Sequence, residues 1–248
     1  MSYRNQLIKV GYDLDAWHNY GERKEINADI SQNSHMLICG MSGSGKSYFQ
    51  QILFARLAKI EAQGIFLFAD YKNEFEHLQG LDSYYGYKDA LKGIEIAHEI
   101  LQNRIDGVDK SRTQVTLIFD EYVSCMLNLL GEDKKKAQLY MNMVSELLML
   151  GRSLRLRLVI CCQRPDANVF SYGSRNNFGI LIVLGAYFNS TYEMLMPEYR
   201  DIIKSKEFGL GEGSILFQQS SKLQFLKVPK IENQKLVQGL CIRALSKP

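Results

Sequence analysis

The sequence lacks any apolar run long enough to cross a bilayer. The longest runs, residues 156–162 and 178–187, are interrupted by polar residues or are far shorter than the roughly 20 residues that a spanning helix needs. An apolar signal core is absent too, because the N-terminal segment includes Arg4 and Lys9. These absences predict a cytoplasmic protein with no transmembrane segment of its own.

Zinc-binding cysteine patterns are also absent. The five cysteines form neither a CxxC pair nor a cluster with histidine. They are Cys39, Cys125, Cys161, Cys162 and Cys241. Because cysteine is among the most buried residue types, we expect reduced thiols in the core.

The chain has no large net charge. Its formal net charge of +3 is too small to indicate nucleic-acid binding by itself. Hydrophobic residues make up 46% and charged residues 23%, a composition typical of globular proteins and not of disordered or fibrous ones. No repeat and no linker rich in proline or glycine divides the sequence. We therefore expect a single domain over residues 1–248, with a lead-in at 1–30, a core at 31–230 and a tail at 231–248.

Apolar runs typical of strands alternate with segments of helical spacing. The predicted strands are 26–30, 36–39, 64–70, 115–120, 157–162 and 179–185. Helical spacing is found at 48–57 and 89–104. This alternation predicts an α/β fold with a mainly parallel sheet sandwiched by helices, and such sheets bind ligands outside the carboxyl ends of their strands.

Three further segments complete the expected fold. Strand 26–30 is expected as an N-terminal edge element, and residues 213–229 alternate enough to predict a hairpin at the sheet edge. A long helix follows the charged stretch 132–136. Its core-facing stripe is predicted to be Leu139, Met143, Leu147 and Leu150.

A phosphate-binding loop stands between strand 36–39 and the helix that follows. Its pattern is G-x-x-x-x-G-K-[ST], in which backbone N–H groups and the helix N-terminus hold phosphates. Lys46 is predicted to reach the β- and γ-phosphate oxygens of ATP, and Ser47 to coordinate Mg²⁺. The predicted nucleotide-binding residues are Gly40, Met41, Ser42, Gly43, Ser44, Gly45, Lys46, Ser47 and Tyr48.

Two acidic residues lie at the end of the apolar run 115–120: one is its last residue and the other follows directly. Asp120 is predicted to hold Mg²⁺ through water, as the second acid of a phosphate-loop enzyme does. Glu121 follows directly, as expected for a general base that polarises the attacking water. The alternative for Glu121 is a surface residue that caps a helix or forms an ion pair.

Gln163 comes directly after the predicted strand 157–162. At that position an uncharged amide would sense the γ-phosphate and orient water, and a turn-stabilising amide is the alternative. Together with Lys46, Asp120 and Glu121, this residue predicts a phosphoryl transfer from ATP to water that is assisted by one metal ion.

Several motifs resemble the FtsK/SpoIIIE family within the FtsK–HerA group of ring ATPases. Residues 35–47 are similar to that family's lead into its phosphate loop. Residues 70–74 resemble its Asp-Pro-Lys-x-x-Glu segment, with Tyr71 in place of proline. Residues 151–153 and 163–166 are similar to its Gly-Arg-Ala and Thr-Gln-Arg-Pro block. The resemblance covers most of the chain and implies a RecA-like ATPase that translocates DNA.

One branch of the family resembles the chain most. Residues 163–167, 175–179 and 184–185 are similar to the conjugative branch found in Gram-positive mobile elements. The resemblance thus implies a motor for DNA transfer, recruited to a membrane-bound transfer complex by a partner. Neither a membrane segment nor the family's winged-helix module is recognisable, so sequence-directed chromosome translocation is not expected.

The resemblance also implies a homohexameric ring with ATP between subunits and DNA in the central channel. Arg152 matches the position of the family's arginine finger, which reaches the phosphates of a neighbouring subunit. Arg164 and Arg175 are the reserve candidates. The alternative for each of them is a solvated or ion-paired surface arginine.

Contacts with DNA would have to be independent of base sequence, because a motor steps along any sequence. Lys134 to Lys136 and the turn 175–177 are the candidates, although the lysine run also fits a solvated helix start. Tyr84, Tyr85 and Tyr87 are expected in a surface loop. Two rival functions stay open: a protein-translocating ATPase of the type VII secretion kind and a nucleotide-dependent coupling platform.

Overall fold

The computed structural model describes residues 6–31, 34–185 and 189–246. The strands are β1 Leu7–Asp13, β2 Glu25–Asp29, β3 Met36–Gly40, β4 Ile65–Asp70, β5 Tyr84–Gly86, β6 Val115–Asp120, β7 Leu156–Cys162, β8 Ile180–Leu184, β9 Glu212–Phe217 and β10 Lys222–Lys227. The helices are α1 Leu14–Tyr20, α2 Lys46–Ile60, α3 Ala90–Ile105, α4 Tyr122–Glu132, α5 Lys134–Leu150, α6 Asn189–Leu195, α7 Arg200–Lys204 and α8 Gln234–Leu245.

The ten strands form a sheet in the order β2-β1-β10-β9-β8-β3-β7-β6-β4-β5. The strands from β8 to β5 pair in parallel, and β9, β10, β1 and β2 continue the sheet in antiparallel pairs. The predicted α/β fold with a mainly parallel sheet is confirmed. In this arrangement β3, β7 and β6 lie side by side in the middle of the sheet, and their carboxyl ends meet at one edge.

The predicted hairpin exists, but its predicted place at the sheet edge is wrong. Strands β9 and β10 form it, and β10 is covered in turn by β1. A bulge between Lys9 and Gly11 shifts the register of β1 and hides the alternation that sequence patterns detect. Gly11 is needed there, because an added Cβ would lie 2.1 Å from Leu226 Cδ1.

The predicted core stripe of α5 is wrong at two of its positions. Leu139 and Leu150 are 52% and 43% exposed, whereas Leu147 is buried as predicted. The buried apolar face instead consists of Ala137, Tyr140, Met141, Val144, Leu147 and Leu148. Apolar residues extend around more than one side of α5, so spacing alone does not identify the face that packs against α3 and α4.

Two hydrophobic cores lie on opposite faces of the sheet, because side chains alternate along each strand. Leu37 and Cys39 of β3 pack with α3, α4 and α5, and Met36 and Ile38 pack with α2 and α8. The predicted tail therefore contains a packed helix. All five cysteines are buried free thiols, as expected, and Tyr84 and Tyr85 lie in strand β5 and not in a loop.

Candidate nucleotide-binding site

The phosphate-binding loop joins β3 to α2, as the sequence predicted. Gly43 and Gly45 have φ angles of 81° and 91°, in the left-handed region where glycine is favoured. Gly40 is restricted by space, because an added Cβ would lie 2.5 Å from Ser44 Oγ. The loop therefore depends on glycine for its tight path, which leaves the first turn of α2 free to face an anion.

A second segment braces this loop from the hairpin side. Gly211 N donates a hydrogen bond of 3.1 Å to Ser44 O, and Gly185 N donates one of 2.7 Å to Glu212 O. Glu212 accepts further hydrogen bonds from Lys227 and His18. The antiparallel part of the sheet thus holds the phosphate-binding loop in place.

Parallel pairing brings the predicted catalytic residues to the same edge as the loop. Cys39 is in register with Cys162, so Gly40 and Gln163 follow at the ends of neighbouring strands. Asp120 is in register with Asp70 on β4. Gln163 is half-buried at this edge.

Lys46 lies between the two predicted acids. Its Nζ is 2.7 Å from Asp120 Oδ1 and 2.9 Å from Glu121 Oε1, and all three side chains are buried. Burial lowers the pKa of Lys46, but Asp120 and Glu121 more than offset this effect and raise the pKa above its usual value. Burial raises the pKa of Asp120 to about 6 against the opposing effect of Lys46. Lys46 therefore carries a full positive charge between the two acids.

Glu121 is fully buried, which excludes the surface alternative for this residue. Its φ angle is 58°, a left-handed conformation that costs free energy for a non-glycine residue and is common at functional sites. It precedes α4 without capping it, and its Oε2 accepts a 3.0 Å hydrogen bond from Ser124 Oγ. The backbone thus turns the carboxylate back toward Lys46.

The predicted metal ligands offer oxygen atoms that suit Mg²⁺. Asp120 Oδ2 is buried and has no hydrogen-bond partner among the described residues. Ser47 Oγ makes a long hydrogen bond of 3.4 Å to Glu74 Oε2 and stands at the start of α2. These two residues fit Mg²⁺ when phosphate oxygens complete its shell, and the ion would neutralise charge on those phosphates.

Lys72, in the segment 70–74, also lies at this site, although the sequence predicted no role for it. Its Nζ lies 3.4 Å from Glu121 Oε1 and 3.8 Å from Glu74 Oε1. Buried Asp70 anchors the loop that carries it, because Oδ2 accepts hydrogen bonds from Phe75 N at 2.9 Å and Tyr84 Oη at 2.8 Å. The adjacency of β4 and β6 creates this contact, and the sequence does not show which strands are neighbours.

The remaining predicted loop residues differ in exposure. Met41, Ser42 and Gly43 form the exposed tip, and buried Ser44 Oγ has no hydrogen-bond partner among the described residues. Tyr48 is 39% exposed, and its hydroxyl accepts a hydrogen bond from Ile231 N. The end of the chain before α8 thereby contacts the nucleotide-binding helix.

The candidate arginines lie at opposite edges of the sheet. Arg164 follows Gln163 at the carboxyl edge, whereas Arg152 precedes β7 and Arg175 precedes β8. Strand β7 has seven residues, and at about 3.3 Å per residue it separates Arg152 from the phosphate edge by roughly 20 Å. Arg152 lines a cavity of about 430 Å³ at the amino edge. It therefore does not reach the nucleotide site of its own chain.

Substitution of Gly40 tests the loop geometry. We expect Gly40→Ala to weaken ATP binding about tenfold or more, because the new methyl group displaces Ser44 and distorts the phosphate cradle. The measurement is titration with a fluorescent ATP analogue. Gly131→Ala is the matched control, since its added Cβ meets no atom within 4 Å and alanine is the better helix former. Equal affinity of both variants would contradict the geometry.

Comparison with known proteins identifies the family. The profile of the helicase HerA central domain matches residues 23–148. The FtsK domain-containing protein YdcQ of Bacillus subtilis (strain 168) is 27% identical over 216 residues, which cover 78% of this chain and 44% of YdcQ. The chain thus spans less than half the length of that relative.

Solved structures show the same fold. The pCW3 conjugation coupling protein TcpA, bound to ATPγS, has a TM-score of 0.68 at 18% identity, over 92% of this chain and 66% of TcpA. The cytoplasmic domain of the type VII secretion ATPase EccC of Thermomonospora curvata has a TM-score of 0.69 at 18% identity, over 99% of this chain and 32% of EccC. The predicted RecA-like core is confirmed by this similarity.

A smaller protein shares the core as well. The genome packaging NTPase B204 of Sulfolobus turreted icosahedral virus 2 has a TM-score of 0.54 at 14% identity, over 79% of this chain and 97% of B204. Within the described residues, no helix is long and apolar enough to span a membrane. The matched domain shows that the chain belongs to the HerA central-domain family, and its fold is that of the P-loop ATPases with which it was compared.

Proposed function

We propose that this chain is a Mg²⁺-dependent ATPase motor that moves DNA, in conjugation or another DNA transfer of a mobile element. The observation that carries the proposal is Lys46, which lies within 2.9 Å of both Asp120 and Glu121 at the phosphate-binding loop. A protein that only bound nucleotide would need Lys46 and Asp120, but it would not need the buried carboxylate of Glu121. The pair of acids supports hydrolysis.

The geometry supports the predicted roles in that reaction. ATP phosphates draw Lys46 away from the acids, which frees Glu121 to accept a proton from the attacking water. Gln163, at the end of the strand beside the loop, orients that water. Asp120 and Ser47 would hold Mg²⁺, which would neutralise charge on the phosphates. A coupling platform without turnover is disfavoured, because this complete set would serve no purpose in it.

Two observations support movement of DNA: the described functions of two proteins with a similar fold, and the positive charge on one exposed surface. TcpA is a conjugation coupling protein, and B204 packages a viral genome. Exposed Lys134, Lys135 and Lys136 occupy the first turn of α5, where the helix dipole disfavours cations. Lysines in that position cost stability, which favours a role in contacting phosphates. The turn 175–177 at the amino edge is the second candidate contact.

The motor would work as a homohexameric ring. Arg152 lies at the amino edge, about 20 Å along the strand from its own nucleotide site, so it would act on the nucleotide of a neighbouring subunit. Arg164 and Arg175 are the alternatives. We further propose that residues 1–248 form one motor domain, which is cytoplasmic and is recruited to the membrane by a partner.

A protein-translocating ATPase is the second candidate. The fold is as similar to the type VII secretion ATPase EccC as to TcpA, with TM-scores of 0.69 and 0.68.

ATP hydrolysis in the presence of DNA distinguishes the two candidates. We expect duplex or single-stranded DNA to stimulate ATP hydrolysis by the purified protein, because a DNA-translocating ATPase hydrolyses ATP faster when DNA is bound. Glu121→Gln should abolish hydrolysis while ATP still binds, and Lys46→Ala should abolish both. Hydrolysis that is indifferent to either form of DNA would favour protein translocation.

Mixing two inactive variants tests the role of Arg152 between subunits. Arg152→Ala retains an intact phosphate site, and Lys46→Ala retains an intact arginine. In mixed rings some interfaces join the two intact halves, so we expect the mixture to regain hydrolysis that neither variant shows alone. If Arg152→Ala alone hydrolyses ATP like the wild type, or if the mixture stays inactive, the assignment of Arg152 is wrong.

A further inference from the structure

The loop after β4 completes a circuit of contacts at the nucleotide site. Its members are Ser47, Glu74, Lys72, Glu121 and Lys46. Glu74 accepts a hydrogen bond from Ser47 and lies 3.8 Å from Lys72. Lys72 in turn lies 3.4 Å from Glu121 Oε1, the same oxygen that Lys46 contacts at 2.9 Å. Because Lys46 and Ser47 are consecutive, the circuit begins and ends on the phosphate-binding loop.

Nucleotide binding breaks this circuit at both ends in the proposed reaction. Lys46 would move to the phosphates, and Ser47 would offer its hydroxyl to the metal ion. Glu121 then loses its nearest cation while its side chain remains 1% exposed. A buried carboxylate that lacks a charged or hydrogen-bonded partner is unfavourable in proteins, so another group has to pair with Oε1.

We propose that Lys72 is a positioning residue that remains paired with the Glu121 carboxylate when Lys46 moves to the phosphates. Lys72 Nζ pairs with Oε1 at 3.4 Å, while Ser124 Oγ donates a 3.0 Å hydrogen bond to Oε2. Glu121 is thereby fixed at both carboxylate oxygens. The inference rests on the proposed function, because it assigns a role within ATP hydrolysis.

The surroundings of Lys72 fit this role. Its side chain is 33% exposed, so water partly solvates its charge in addition to its two carboxylate partners. Its loop is fixed by the buried carboxylate of Asp70, which accepts hydrogen bonds from Phe75 N and Tyr84 Oη. A fixed loop keeps the ammonium group beside Glu121 when the phosphate-binding loop rearranges.

A direct role in binding phosphate is the competing assignment for Lys72. The two roles differ in the kinetic parameter that they control. A phosphate ligand contributes to nucleotide affinity in the ground state, whereas a residue that orients the base acts on kcat. Separate measurement of affinity and kcat therefore distinguishes them.

The test compares Lys72→Met with the wild type, with Lys72→Arg and with Lys92→Met. Methionine keeps the apolar stem and removes the charge, and arginine restores the charge. Lys92 is the matched control, because it is an exposed lysine paired with Asp89 at 2.9 Å on α3. The measurements are kcat and KM for ATP, the Kd of a fluorescent non-hydrolysable ATP analogue, and the thermal midpoint.

We expect Lys72→Met to lower kcat about tenfold or more, as part of the roughly 10²–10⁴-fold that a positioned base contributes. The Kd should stay within about threefold of the wild-type value. Lys72→Arg should recover most of kcat, and Lys92→Met should match the wild type in every measurement. This pattern would establish Lys72 as a positioning residue for Glu121.

Other results would overturn the inference. A Kd raised about tenfold or more in Lys72→Met would make Lys72 a phosphate ligand. An unchanged kcat in Lys72→Met, or no recovery in Lys72→Arg, would exclude a role of its charge. Wild-type protein that binds ATP without hydrolysing it would overturn the proposed function and this inference together, whereas an active wild type isolates the failure to Lys72.

Discussion

The contact of Lys46 with Asp120 and Glu121 is the interaction on which the rest of the site depends. One buried cation compensates two buried acids, which would be costly to keep charged without it. The same cation is needed at the phosphates of ATP. In the proposed reaction, nucleotide binding would therefore redistribute charge within the site, and a metal ion at Asp120 and Lys72 at Glu121 would compensate the acids.

The sheet explains why these groups meet and why Arg152 and Arg175 do not join them. Parallel pairing of β3, β7, β6 and β4 brings the phosphate-binding loop, Gln163, both acids and the Lys72 loop to one edge. Segments that precede the strands, including Arg152, lie at the other edge. A chain of this kind thus presents a nucleotide at one edge and an arginine at the other, which suits subunits arranged head to tail.

The sequence predicted where the glycine loop and the two acids lie in the fold, because these signals are local. The glycine pattern of residues 40–47 and the acids at the end of an apolar run each depend on a few neighbouring residues. The misses depend on distant contacts. A bulge and the close approach of β10 concealed β1, the packing of α3 and α4 selected the buried face of α5, and the pairing of β4 with β6 brought Lys72 to Glu121. No local pattern encodes these neighbours.

A crystal structure with ATPγS and Mg²⁺ would test the central claim most directly. The account predicts that Lys46 Nζ leaves Asp120 and contacts the β- and γ-phosphates, that Asp120 and Ser47 face the metal ion, and that Lys72 stays beside Glu121. A bound nucleotide with Lys46 still paired to Asp120, or with Lys72 on the phosphates instead of Glu121, would contradict it.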